Sequence, residues 1–574
     1  MTFSGALTLT DLNDFITPSQ ACIKPVEEVK RPEDYKEPGA ASTAIHVDSA
    51  GSYYEVTANG SLNGVSSSRK LETAQISLND CLACSGCITS AESVLITMQS
   101  HEEVFNFLST NPPRTSPEHR IPVLSISPQS LASLSASLSS SSSASISISQ
   151  VLRRLRVICK NDLGFTHVYD TTFARHIALL EHAQEFSERR AGTGSAENKL
   201  PMLSSACPGW VCYAEKTHAE MLPFISRSKS PQQVMGTLVK HWLGEKWGKK
   251  PHQIYHVTVM PCYDKKLEAS RQDFYNDLYS TRDVDCVITT GELELMMRAR
   301  NSDLSASVPD EERHLSPSEP NFDDLPELLS HPGSSSGSYL QSLISEYLTD
   351  GSELSTRTIR NADYEEHVIT NKSTGNVVFK GAKCYGFRNL QNVVRKVGKE
   401  AGVQIGRGAA GRLSSVRTKR NMSSRGGKNA EVEKDKAYDY VEVMACPSGC
   451  VNGGGQLKSQ ITRSQNQDNA EETSEARWGD KEWTKRVEEA YWHNLPTPPP
   501  SPSFSPVSAE TYDPHVFANE FARRILVDLC KPHNGAESAW RTRMDADAEK
   551  MRASLFRTQY RAVESNVVGL QVNW

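Results

Sequence analysis

Three cysteines stand in the run Cys81-Leu-Ala-Cys84-Ser-Gly-Cys87. That spacing lets three thiolates converge on three irons of one cubane cluster. A fourth ligand must come from elsewhere, because Ile88 to Ile96 contain no cysteine and Cys22 is the only other cysteine before Cys159. Three cysteines plus a distant fourth would also satisfy tetrahedral zinc by ligand count, but zinc ribbons usually pair two Cys-x-x-Cys knuckles, and here there is a single triple run. A second group is dispersed over Ser205-Ala-Cys207-Pro-Gly-Trp210, Met260-Pro-Cys262 and Met444-Ala-Cys446-Pro-Ser-Gly-Cys450. Their Pro and Gly neighbours repeat from site to site, which core filling alone does not require. Four ligands for a further cubane are thus available. Cys446 and Cys450 would share a face if the chain turns helical after Pro447, and Gly453-Gly454-Gly455 could aim N–H groups at cluster sulfurs. Cys159, Cys212, Cys286, Cys384 and Cys530 lack such neighbours and read as small buried hydrophobes.

These cysteines need elements to position them. Short apolar runs ending in turn residues predict strands at Ile121 to Ile126, Tyr255 to Met260, Val284 to Thr289 and Tyr440 to Met444. Cys262 and Cys446 each follow one of them. In an open α/β sheet the ligand crevice lies beyond the carboxyl ends of the strands, where cysteines from distant parts of the chain can meet. Helical spacing links Phe173, Ile177 and Leu180, and again Leu390, Val393, Val394 and Val397. Alternating strands and helices predict an α/β fold, two lobes with largely parallel sheets flanked by helices. The serine tract Ser130 to Ser149 fits a helix, with Leu131, Leu134 and Leu138 on one face, yet it offers little core and reads as a surface insertion. So do Arg31 to Lys70, Asn301 to Ser338, Gly406 to Lys436, Gln460 to Ala476 and the stiff proline run Pro496 to Pro506.

Bulk properties narrow the chemistry further. A chain of 574 residues exceeds one ordinary core. A net charge of −6 gives no general attraction to nucleic acid or anionic membrane, so neither is expected as a partner. The basic stretch Arg407 to Lys436 lacks interleaved aromatics and reads as a solvated loop. No window has the apolar length of a membrane span, and Met1 to Pro25 lacks the order of a signal peptide. The expectation is a cytoplasmic protein, with the nucleus open as a second location. Thirteen cysteines in such a setting point to metal rather than disulfides.

At these motifs, and at Lys265-Lys-Leu-Glu-Ala269 and Asp283-Val-Asp-Cys-Val-Ile-Thr-Thr290, the sequence resembles the iron-only hydrogenase superfamily. Within it, the chain is similar to the eukaryotic cytosolic iron-sulfur assembly factors related to nuclear prelamin A recognition factor, which share the Asp11-Leu-Asn-Asp-Phe-Ile16 segment followed by a cysteine, here Cys22. The resemblance implies two [4Fe-4S] clusters, one on Cys22, Cys81, Cys84 and Cys87, the other on Cys207, Cys262, Cys446 and Cys450 in a cleft between lobes. Family architecture implies an N-terminal cluster region at 1–119, lobes at 120–251 and 252–456, and C-terminal helices packing on the first lobe within 508–574; composition makes 31–70 flexible, 301–338 and 406–436 insertions in the second lobe, and 457–507 a low-complexity linker. The function implied is cluster transfer from a cytosolic scaffold complex to apoprotein clients through a WD40-containing targeting complex.

The alternative is an [FeFe]-hydrogenase. Hydrogenases resembling this chain carry a proton-relaying cysteine where Ala206 stands, and their glycine segment would fall at Gly333-Ser-Ser-Ser-Gly-Ser-Tyr339. Lys265 does match a hydrogenase pocket lysine, or else balances cluster charge. A non-enzymatic carrier is therefore expected; an interaction scaffold with structural clusters would look the same in sequence. Leu570-Gln-Val-Asn-Trp574 resembles the aromatic tails that targeting complexes recognise, which makes Trp574 a docking candidate, although Asn573 lacks the usual acidic charge.

Overall fold

The computed structural model describes residues 43–47, 53–57, 69–70, 95–141, 145–192, 199–309, 311, 324–402, 437–458, 481–493, 514–529 and 546–562. The chain divides into two compact units, Met1–Ile88 and Thr89–Trp574. In the first unit β1 (Thr43–Val47), β2 (Tyr53–Thr57) and β3 (Arg69–Lys70) form an antiparallel sheet in that order. The stretch 31–70, expected to be flexible, thus contains regular structure.

The second unit is α/β, as the strand and helix patterns predict. Its strands are β4 (Ile121–Ile126), β5 (His167–Asp170), β6 (Met202–Ser204), β7 (Ile254–Met260), the short pair β8 (Tyr275–Asn276) and β9 (Thr281–Arg282), β10 (Cys286–Thr289), β11 (Ser352–Thr358), β12 (Tyr364–Asn371), β13 (Val377–Tyr385) and β14 (Tyr440–Met444). One sheet has the order β10-β7-β4-β5 and is wholly parallel. The other runs β11-β12-β13-β14-β6, with an antiparallel edge and a parallel β13-β14-β6 portion. Every residue of β7 and β14 is buried, the pattern of strands covered on both faces. The division expected at residue 251 does not follow the sheets: β7 and β10 join β4 and β5, while β6 crosses over to β14. Parallel neighbours need crossover connections, so each sheet recruits strands from distant parts of the chain.

Helices cover these sheets: α1 (His101–Thr110), α2 (Pro128–Ser141), α3 (Ile148–Ile158), α4 (Thr172–Ala191), α5 (Pro208–Thr217), α6 (Pro231–Thr237), α7 (Asp264–Ala269), α8 (Thr290–Ala299), α9 (Tyr339–Tyr347), α10 (Phe387–Glu400), α11 (Lys481–Trp492), α12 (Pro514–Leu529) and α13 (Ala546–Phe556). The serine tract forms α2 as its leucines suggest, but it is no surface insertion. Ser130, Ser133 and Ser135 are buried. Their hydroxyls find partners: Ser127 Oγ donates to Ser130 Oγ at 2.9 Å and Ser135 Oγ to the Ile146 carbonyl at 2.5 Å, which removes the penalty for burying them. Helix α11 lies inside the expected 457–507 linker, yet it packs on α2 and places Trp483, Val487 and Tyr491 in the core. Leu304, Leu325 and Leu329 likewise bring part of 301–338 into the core. All four apolar residues of the α10 stripe are buried; in α4, Phe173 and Ile177 are, but Leu180 is exposed. The buried face of α4 turns instead through Glu181 and Glu185, which arginines neutralise. The predicted strand at Val284 begins only at Cys286, because Asp283 and Asp285 are held by Lys229 and Lys240. Among the described residues no helix is long and apolar enough to cross a membrane.

Candidate metal centre

The parallel portions of both sheets end at one place. Cys207 follows β6, Cys262 follows β7, and Cys446 and Cys450 follow β14. Cys207 caps the start of α5, where Pro208 occupies the first turn without losing a hydrogen bond. Its N–H donates to Ser205 Oγ at 3.0 Å, and that hydroxyl donates to the Val443 carbonyl at 2.5 Å. The Cys207 turn is thereby tied to β14, the strand that leads to Cys446.

The chain after Pro447 is not helical. Ser448 and Gly449 adopt φ of 59° and 83°, and a short 3-10 turn begins at Cys450. The glycine is required twice over, since a Cβ there would lie 2.0 Å from Ser336 Oγ. Ser336 Oγ accepts the Cys450 N–H at 2.8 Å. The glycine run also differs from expectation. Gly453 N–H bonds the Cys450 carbonyl at 3.0 Å and Gly455 N–H the Pro261 carbonyl at 2.8 Å, so neither is directed at sulfur. What these glycines allow is close approach: a Cβ on Gly453 would meet the Pro261 oxygen at 2.4 Å. Through these bonds the Cys450 turn is joined to the Cys262 turn across the two sheets.

Cys207 is buried and the other three thiol residues are half-buried. Burial, above all, pushes the Cys207 thiol up to about 12, with the Cys450 sulfur and Asp264 acting in the same direction. Cys262 and Cys446 are pushed well above the ordinary thiol range, first by burial; at Cys262 the Asp264 charge and then the neighbouring thiols add to it, and at Cys446 the neighbouring thiols and then Asp264. The four sulfurs therefore feel one another. Among the described residues, the one group of three or more His, Cys, Asp or Glu whose ligand atoms all lie within 4.8 Å is a histidine cluster elsewhere. The four thiols are thus gathered but spread wider than the first shell of one tetrahedral zinc ion, whose sulfur ligands stand about 2.3 Å from the metal. A polynuclear iron-sulfur group fits this donor set better. Binding such a group would drive off the thiol protons.

Lys265 is buried and pairs with Glu268 at 2.7 Å. Its charge pulls the Cys262 and Cys450 thiols downward against burial, so it is a cation beside the thiols. Ala206, Cys207, Cys212, Glu268, Arg271 and Tyr560 line a pocket at the edge of the site. Cys212 shares that pocket although its sequence context gave no sign of it. Cys159, Cys286 and Cys384 are buried in the core, in keeping with their reading as hydrophobes. Cys22, Cys81, Cys84, Cys87, Cys530, Trp574 and the basic stretch 406–436 lie outside the described residues.

Residues 120–454 match the family described as the iron only hydrogenase large subunit, C-terminal domain. The cytosolic Fe-S cluster assembly factor NAR1 of Cryptococcus neoformans is 44% identical over 99% of this chain and 98% of its own length. The cytosolic Fe-S cluster assembly factor narfl of Xenopus tropicalis is 40% identical over 100% of this chain and 99% of its own. Among solved structures, an apo [FeFe]-hydrogenase HydA1 from Chlamydomonas reinhardtii covers 81% of this chain and 99% of its own at a TM-score of 0.52 and 21% identity, a likeness of fold alone.

Proposed function

The chain belongs to the cytosolic Fe-S cluster assembly factors built on an iron-only hydrogenase domain, and from that premise we propose that it holds two [4Fe-4S] clusters and passes iron-sulfur clusters to apoproteins. Cys207, Cys262, Cys446 and Cys450 would hold one in the cleft; Cys22, Cys81, Cys84 and Cys87 would hold the other. The observation that carries the reading is the meeting of Cys207, Cys262, Cys446 and Cys450 at the strand ends of the parallel portions of two sheets, in a chain similar along its whole length to assembly factors.

Such a cluster supplies iron whose thiolate ligands can be exchanged. The chain's own residues do the rest: Ser205 and Ser336 fix the Cys207 and Cys450 backbones, and Lys265 offsets negative charge. Transfer would be ligand exchange, in which recipient thiols lose their protons and replace thiolates of this chain, while the displaced thiolates take those protons up. The reading is of a carrier rather than an enzyme, because Ala206 cannot relay a proton beside the first cleft cysteine. Its partners are a cytosolic scaffold complex upstream and a WD40-containing targeting complex downstream, with Trp574 as the docking residue; the expected compartment is the cytosol.

Anaerobic iron and sulfide analysis with Mössbauer spectra tests the cofactor half. The expected result is about eight irons and eight sulfides in two cubanes, and stoichiometric zinc without sulfide would overturn it. Incubation with an apoprotein tests the transfer half: iron should appear in the recipient as it leaves this chain.

A further inference from the structure

Away from the cleft, three histidines from distant segments converge. His176 lies in α4, His331 in the loop before α9, and His515 at the start of α12. One ring nitrogen from each lies within 4.8 Å of the others. His176 Nδ1 and His331 Nε2 are 3.2 Å apart, close to the edge of a tetrahedron whose centre lies about 2.0 Å from each nitrogen. We propose that His176, His331 and His515 form a site for one borderline divalent transition-metal ion, zinc or a near relative, distinct from the cysteine cleft.

The surroundings prepare these rings as ligands. His176 Nε2 faces Asn519 Oδ1 at 3.0 Å; donating there leaves the Nδ1 lone pair directed at the cluster. A metal-binding imidazole is commonly oriented by such a partner on its other nitrogen. Asn519 stands one turn after His515, so α12 supplies both a ligand and the residue that orients another. His331 is buried, and its Nδ1 has no hydrogen-bond partner of acceptable geometry, an unusual cost in a native interior. Coordination through Nε2 would leave the ring's proton on Nδ1.

The loop that presents His331 is anchored on both sides. Leu328 N–H bonds Asp170 Oδ2 at 3.0 Å, Leu329 N–H bonds Thr172 Oγ1 at 2.9 Å, and Ser338 Oγ donates to the His331 carbonyl at 2.8 Å. His176 and His331 are both buried, and an imidazole binds metal through a lone pair of its neutral form. Arg175 adds positive charge beside His331 and opposes a dication, so the site should bind less tightly than one backed by a carboxylate. His515 is only half-buried and leaves a way in for the ion and a water as fourth ligand.

An ion here would clasp α4 and α12 to the loop running on to Ser336, the residue that holds the Cys450 turn. The proposal stands whether or not the cysteine cleft carries a cluster. Its test uses the full-length protein purified anaerobically, with and without His515→Ala, given zinc and freed of excess by gel filtration. The wild type should retain about one zinc more per chain than the variant. Its zinc absorption edge should show a first shell of nitrogen and oxygen at about 2.0–2.1 Å with imidazole scattering. Zinc should raise the melting temperature of the wild type and not of the variant. His331→Gln, which keeps a polar group in the buried position, should lower zinc affinity at least tenfold. Equal zinc in wild type and His515→Ala, or the same zinc first shell in both proteins, would overturn the site; equal iron and near-ultraviolet dichroism in the two proteins shows that His515→Ala has left the fold intact.

Discussion

On the proposed reading, a single sulfur at the cleft would do two jobs, ligation and fastening of one sheet to the other. Cys262 extends from the four-stranded sheet, whereas Cys207, Cys446 and Cys450 extend from the five-stranded one. Cluster binding there would contribute to folding free energy. Cys262→Ala or Cys446→Ala should therefore remove about half of the iron and lower the melting temperature, while Cys22→Ala should leave a stable protein with a labile N-terminal cluster. Parallel iron analysis and thermal melts check this ordering; equal melting losses in all three would contradict it. Glycine matters at the same scale. In Gly453→Ala the new methyl meets two backbone oxygens, of Pro261 and Cys450, neither at the end of a flexible side chain. Crowding of this kind costs about 1–3 kcal/mol, so cleft iron content and denaturation midpoint should both fall. Gly291→Ala, whose nearest neighbour would be 3.8 Å away, serves as the control that should change neither.

At the level of elements, the last described helix, α13, brings charge to α4 as well as Phe556 to the core. Glu181 on α4 is buried and receives both Arg552 and Arg557, the latter at 2.5 Å, while Arg557 forks onto Glu188 at 2.7 and 2.9 Å. Burial tends to raise the Glu181 pKa, and the two arginines oppose it. Removing one partner from a buried pair leaves uncompensated charge and costs about 3–5 kcal/mol. Arg557→Ala should thus free the segment leading to Tyr560, seen as faster proteolysis after α13 and a lower urea midpoint. Glu181→Gln should be milder than Glu181→Ala, because the amide keeps one acceptor. Thr558 N–H bonds the Arg227 carbonyl at 2.7 Å and Tyr560 lines the pocket beside Cys207, so release of this segment should also speed cluster loss to a chelator.

On the scale of the whole molecule, a hydrogenase fold is joined to a sequence similar to assembly factors. Two functions share one architecture, which is why function has to be argued from the site. Ala206 stands in the pocket beside Cys207, Ser336 Oγ accepts the Cys450 N–H, and Ser334 and Ser335 bond Tyr385 and Gln129 instead. Reconstituted protein should neither evolve nor consume hydrogen. A dye-linked assay giving about one turnover per second or more would place the chain among the enzymes instead.

The cysteine motifs, the strands that precede Cys262 and Cys446, and the α10 stripe were legible because each is local: a spacing of two or three residues, or one face of one element. The sequence also carried the family likeness, since its motifs keep their order whatever lies between them. Composition misled where polarity was taken for exposure. The serines of α2 are buried because their hydroxyls bond one another and nearby carbonyls, and α11 is core because it finds α2. No spacing could reveal that β6 pairs with β14, that Gly453 and Gly455 spend their N–H groups on carbonyls, or that His176, His331 and His515 meet. Those residues lie up to hundreds of positions apart, and only the crossover connections of the parallel portions of two sheets, with the helices packed over them, bring them within reach of one another.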